Sequence, residues 1–73
     1  MTYWYIWFKV FEDGKYVGAG RYHQAYAYKH NAVRRAKQMW DEDLYNPMTD
    51  TTVTRMWIVS QTNPWEVDND RLV

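Results

Sequence analysis

The chain has 73 residues, with nine Lys and Arg balanced by nine Asp and Glu, and it contains no cysteine. That length allows one small domain, the missing cysteines exclude a disulfide framework and any Cys-based zinc site, and no apolar run nears the roughly 20 residues of a membrane-spanning helix. Zero net charge also weakens non-specific attraction to phosphate backbones.

A chain this short buries only about 60% of the surface its unfolded form exposes, so stability has to come from a rich core. Five Trp, seven Tyr and two Phe supply it. The N-terminus lacks the basic start and small-residue cleavage site of a secretory signal, so a soluble cytoplasmic protein is the expectation. Charge is unevenly spread. Residues 1–40 carry seven cations against Glu12 and Asp13, a net of +5, and residues 41–73 carry Arg55 and Arg71 against seven carboxylates, a net of −5. Two halves that attract each other in the folded domain explain this more simply than a polyanion-binding side.

The first element is Thr2 to Phe11, in which six of ten residues are aromatic. Its even positions, Trp4, Ile6, Phe8 and Val10, are apolar; its odd positions, Tyr3, Tyr5, Trp7, Lys9 and Phe11, are mixed. Period-two alternation predicts a central strand with the even set on the core and the odd set on an open face. Glu12-Asp13-Gly14-Lys15 then predicts a tight hairpin, because a type I′ turn needs positive φ at both central residues. The second strand runs from Lys15 to about Tyr22, with Gly18 and Gly20 sharing a face with Tyr16 and Tyr22 and leaving a groove for a large aromatic of the first strand.

Residues 23–30 fit strand, loop or helix. Asn31 is a good N-cap, and Ala32, Val33, Ala36, Met39 and Trp40 then form one apolar stripe at helical spacing. Asp41, Glu42 and Asp43 stand where the helix dipole disfavours negative charge, so either the helix stops near Trp40 or these carboxylates pair with cations elsewhere. Asn46-Pro47 ends it in any case. Residues 48–50 read as a loop, and the β-branched run Thr51 to Ser60 as a third strand with Met56 and Ile58 on one face and Val53, Arg55, Trp57 and Val59 on the other. The acidic segment 66–73 reads as a poorly ordered tail after a domain spanning 1–65.

The order β-β-α-β predicts an α+β domain, a three-stranded antiparallel sheet of order 2-1-3 with one helix on one face. The open face is the leading candidate site. Tyr3, Tyr5 and Trp7, with Lys9, Arg55 and Trp57, offer aromatic area and cations. That combination suits protein contact or self-association, and alternatively the stacking and phosphate contacts of a single-stranded nucleic-acid binder. On the second reading Trp7→Ala removes binding with little loss of fold. Three blander readings compete: the tail folds over this face through Pro64 and Trp65, a homodimer buries it, or the aromatics simply pair across strands. The helix offers a basic outer face, Lys29, Arg34, Arg35 and Lys37 beside His30, which suits phosphates or mere solvation.

His23 and His30 form no ligand spacing with carboxylates, and Asp41-Glu42-Asp43 with Asp50 lacks the turn and distal Glu of a calcium loop, so neither metal nor cofactor is expected. Ser60 is the single serine and has no His-Asp arrangement, and no phosphate-binding glycine loop or cysteine nucleophile is present. A non-enzymatic module follows, with a protein partner or a second copy favoured, nucleic acid the alternative, and no membrane role. Two stretches, Asn31-Ala32-Val33-Arg34-Arg35-Ala36-Lys37 and Trp57-Ile58-Val59-Ser60 with Thr62-Asn63-Pro64-Trp65, resemble short uncharacterised proteins of Firmicutes genomes, some on mobile elements. The resemblance implies a bacterial origin and assigns no functional residue.

Overall fold

The structure is a computed structural model that describes residues 2–65. The expected tail 66–73 lies outside the described residues. The elements are β1 (Tyr5–Glu12), β2 (Lys15–Arg21), α1 (Lys29–Trp40), β3 (Leu44–Asn46) and β4 (Thr51–Ser60). All neighbouring strands are antiparallel, in the order β2-β1-β4-β3. The α+β class and the central place of the first strand hold. The three-stranded order 2-1-3 is corrected to four strands, because the chain after α1 forms a short edge strand before turning into β4.

The β1–β2 turn forms as its sequence dictates. Asp13 (φ 49°) and Gly14 (φ 80°) both take the left-handed conformation that a type I′ turn requires. Asp13 also ties this turn to β4: its N–H donates to the Thr52 carbonyl and its Oδ1 accepts from the Thr52 N–H, both at 2.9 Å. Beyond the turn the register slips. Phe11 stands opposite Tyr16 but Val10 opposite Gly18, so Val17 is an extra bulged residue. The bulge overturns the expected grouping on β2. Tyr16 joins Phe11 in an edge-to-face pair on the face away from the helix, whereas Gly18 and Gly20 face the helix side opposite Val10 and Phe8. On that side Trp40 of α1 meets Phe8, the partner of Gly20, at 5.0 Å and Tyr22 at 5.9 Å between ring centres.

Residues 22–28 form a loop that returns to β1. Trp4 and Tyr26 exchange two backbone hydrogen bonds, at 2.7 and 2.9 Å, and the Tyr22 N–H donates to the Ile6 carbonyl at 2.8 Å. This attachment fixes where the helix begins. Tyr28 is extended and acts as N-cap without a side-chain bond; its carbonyl accepts from Asn31 and Ala32. The predicted cap at Asn31 is therefore corrected: Asn31 lies inside the first turn. At the other end α1 stops at Trp40 with Asp41 as C-cap, which places the three carboxylates of 41–43 at or beyond the helix end rather than within it.

The core lies between α1 and the β1–β4 pair. Ile6, Ala32, Ala36 and Val59 are its buried centre, with Trp4, Tyr22, Tyr26, Val33, Met39, Trp40 and Trp57 packed around them. The two alanines let the helix approach the strands closely. Ile6 and Val59 are cross-strand partners under it. Among the described residues no helix is long and apolar enough to cross a membrane. Ile6 is fully buried, so Ile6→Ala is expected to cost about 2–5 kcal/mol by urea titration, and Ile6→Val about 0.5–1.5 kcal/mol. Two substitutions of equal and small effect would show that this site is not the packing centre.

Candidate functional site

The sheet face opposite α1 carries the odd residues of β1 and, through the antiparallel register, the even residues of β4. Trp7 stands opposite Ile58 and Arg21; Lys9 stands opposite Met56 and Ala19. The predicted site is thereby split. Tyr5, Trp7 and Lys9 share this face, but Arg55 and Trp57 do not. Arg55 pairs with Val10 and Trp57 with Phe8, on the helix side. There the Arg55 guanidinium lies 5.7 Å from the Trp40 ring, and Trp57 packs against the core.

Trp7 is also not the exposed stacking residue that the alternation suggested. It is only 4% exposed. Its indole N–H donates to the Ser60 carbonyl at 3.1 Å, and Tyr5 meets it edge-on at 6.3 Å. Arg21 closes the arrangement, with its guanidinium carbon 4.5 Å from the Tyr5 ring and 5.7 Å from the Trp7 ring. Planar guanidinium groups stack well on aromatic faces, so Arg21 shields both rings while keeping a charge near the surface. Lys9 is covered in turn. The chain past β4 folds back, and the Trp65 ring lies 4.9 Å from Lys9 Nζ. Covering by Trp65, one of the blander expectations, thus occurs at Lys9.

Large apolar side chains nevertheless stay exposed on this face. Met56 is 49% exposed and Ile58 41%, directly beside Lys9 and Trp7. Tyr16 is exposed at the β2 end. Tyr3 precedes β1 and is also exposed. Sequence reading passed over Met56, Ile58 and Arg21 as site residues. Parity showed that Met56 and Ile58 share a face, but which face of β1 they join depends on the register between strands.

The basic residues of α1 divide similarly. Lys29 reaches over Trp4, its Nζ 5.5 Å from the ring. Arg35 lies close enough to Tyr26 to oppose the upward shift of its phenol, which burial and the neighbouring Tyr22 push above the usual 10.0. All four, Lys29, Arg34, Arg35 and Lys37, are nonetheless exposed. Among the described residues no group of three or more His, Asp or Glu is placed to hold a metal ion. Comparison with protein-family models, curated proteins and solved structures finds no match to this chain.

Burial makes Trp7 a stability residue before anything else. Trp7→Ala is expected to cost about 3–5 kcal/mol, and Trp7→Phe, which loses the bond to Ser60, less; chemical denaturation read by circular dichroism checks both. A Trp7→Ala chain as stable as the wild type would restore the exposed-ring reading. The raised Tyr26 phenol favours its neutral form in the folded state. That contribution is intact below the unfolded value and is lost as pH climbs through the folded one. As pH rises above about 10, Tyr26→Phe should lose less stability than the wild type; parallel denaturation midpoints would contradict this.

Proposed function

We propose that the chain is a non-enzymatic protein-contact module whose contact surface is the β4 side of the sheet face opposite α1. The observation that carries this reading is the pair Met56 and Ile58, half-exposed on adjacent outward positions of β4. Lys9 and Tyr16 share that face and add a cation and an aromatic ring. Apolar side chains grouped on a sheet face and edged by polar ones are the composition of a protein contact. A second copy of the chain is the simplest partner, since a self-complementary patch closes in a two-fold dimer.

The single-stranded nucleic-acid alternative has less support. Its central stacking residue, Trp7, is enclosed by Arg21, Tyr5 and Ser60, and two of its candidate phosphate contacts, Arg55 and Lys29, lie over Trp rings. Salt-sensitive binding of an oligonucleotide that survives Ile58→Asp would reverse this preference.

Light scattering across micromolar to millimolar concentration tests the self-association form. The wild type is expected to rise from 9.0 kDa towards twice that mass. Ile58→Asp, and separately Met56→Asp, should weaken association at least about tenfold, because each would bury an unpaired carboxylate. A wild type that stays at 9.0 kDa throughout removes self-association. An Ile58→Asp chain that associates as the wild type does removes this face as the contact.

A further inference from the structure

After Ser60 the chain reverses through a turn that includes two local bonds. The Thr62 N–H donates to Ser60 Oγ and the Trp65 N–H donates to Asn63 Oδ1, each at 3.2 Å. Residues 61–64 are exposed, while Trp65 is half-buried. The turn carries Trp65 back over the sheet, onto Lys9. Lys9 stands opposite Met56 and two positions from Trp7, so Trp65 lies at the edge of the proposed contact surface and masks its only outward cation on β1.

We propose that Trp65 is a displaceable cover that regulates access to this surface, a proposal that rests on reading the β4 side of the face as the contact. Two observations make the cover weak. The cation–aromatic part of the contact, at a partly exposed site, adds only about two- to fivefold in favour of the closed form. The Trp65 indole N–H is enclosed without a hydrogen-bond partner, which works against the same closed form. A partner that lays an aromatic or apolar side chain beside Lys9 and Met56 competes with Trp65 for one seat. Its apparent affinity is reduced by the fraction of chains that are closed. The seat already holds an indole, which defines the chemistry it accepts: a flat aromatic side chain resting on an ammonium group.

The experiment is trace acetylation of the full chain, with the rate at each lysine read by mass spectrometry, alongside the light-scattering series. Lys15, exposed at the hairpin, serves as the internal reference. Trp65→Ala is expected to raise the Lys9 rate about two- to fivefold relative to Lys15, and to strengthen self-association by a similar factor. Trp65→Phe keeps a ring over Lys9, so its Lys9 rate should stay below that of Trp65→Ala. An unchanged Lys9 rate in a folded Trp65→Ala chain overturns the cover. A raised rate with unchanged association, in a chain whose association Ile58→Asp still disrupts, overturns the regulatory role. If Ile58→Asp has no effect either, it is the contact surface that fails, and Lys9 opening alone still reports the cover.

Discussion

The structure depends on one constraint: β1 has a partner on each edge and a load on each face. It pairs with β2 and β4 along most of its length, which satisfies its backbone groups on both sides. Its even residues lie under α1, and of its odd residues Trp7 is nearly as buried as Ile6 and Phe8. A strand held on both edges in this way cannot shift register by one residue without exchanging Ile6 and Phe8 for Trp7 and Lys9 beneath the helix. The bulge at Val17 accommodates the remaining mismatch within β2, an edge strand, where an extra residue costs no second pairing.

A small domain without cysteines has to seal its core by other means, and here the seals are cations laid on rings. Lys9 on Trp65, Arg21 on Tyr5 and Trp7, Lys29 on Trp4 and Arg55 on Trp40 recur at both faces and both ends of the fold. These contacts recur around the core where a disulfide framework is absent. In each case the charged head itself lies over the aromatic ring. The consequence for function is subtractive. Three cations that look like phosphate ligands in the sequence, Lys9, Lys29 and Arg55, are already engaged with the domain's own rings.

The sequence made the sheet legible where local rules coincide. Alternation in 5–12, Asp-Gly at 13–14 and the β-branched run 51–60 each agree with the tertiary structure. The alanine-centred stripe of the helix also survives intact, because burial and helical period select the same positions. What failed was decided between segments. The helix start is set by the bridge from Trp4 to Tyr26, twenty-two positions apart, which overrides the local N-cap signal at Asn31. β3 has three exposed residues beside a proline and is a strand only because β4 offers it an edge. The site was misread for the same reason: alternation sorts residues into two faces but does not say which face of β4 matches which face of β1, and it does not reveal that Arg21 closes over Trp7.

The two faces of the sheet end up with different kinds of closure. On one side a helix of twelve residues buries Ile6, Phe8 and Val59 through many contacts that form together, so opening that side amounts to unfolding. On the other side the coverings are single side chains, Arg21 and Trp65, each held by one or two ring contacts and each with an enclosed nitrogen lacking a partner. Local opening there costs far less than global unfolding. A surface that exchanges partners needs this second kind of closure, since a binder competes only with what it displaces. The proposed contact on β4 rests on this asymmetry, because Met56 and Ile58 remain half-exposed there beside the rings that Arg21 encloses.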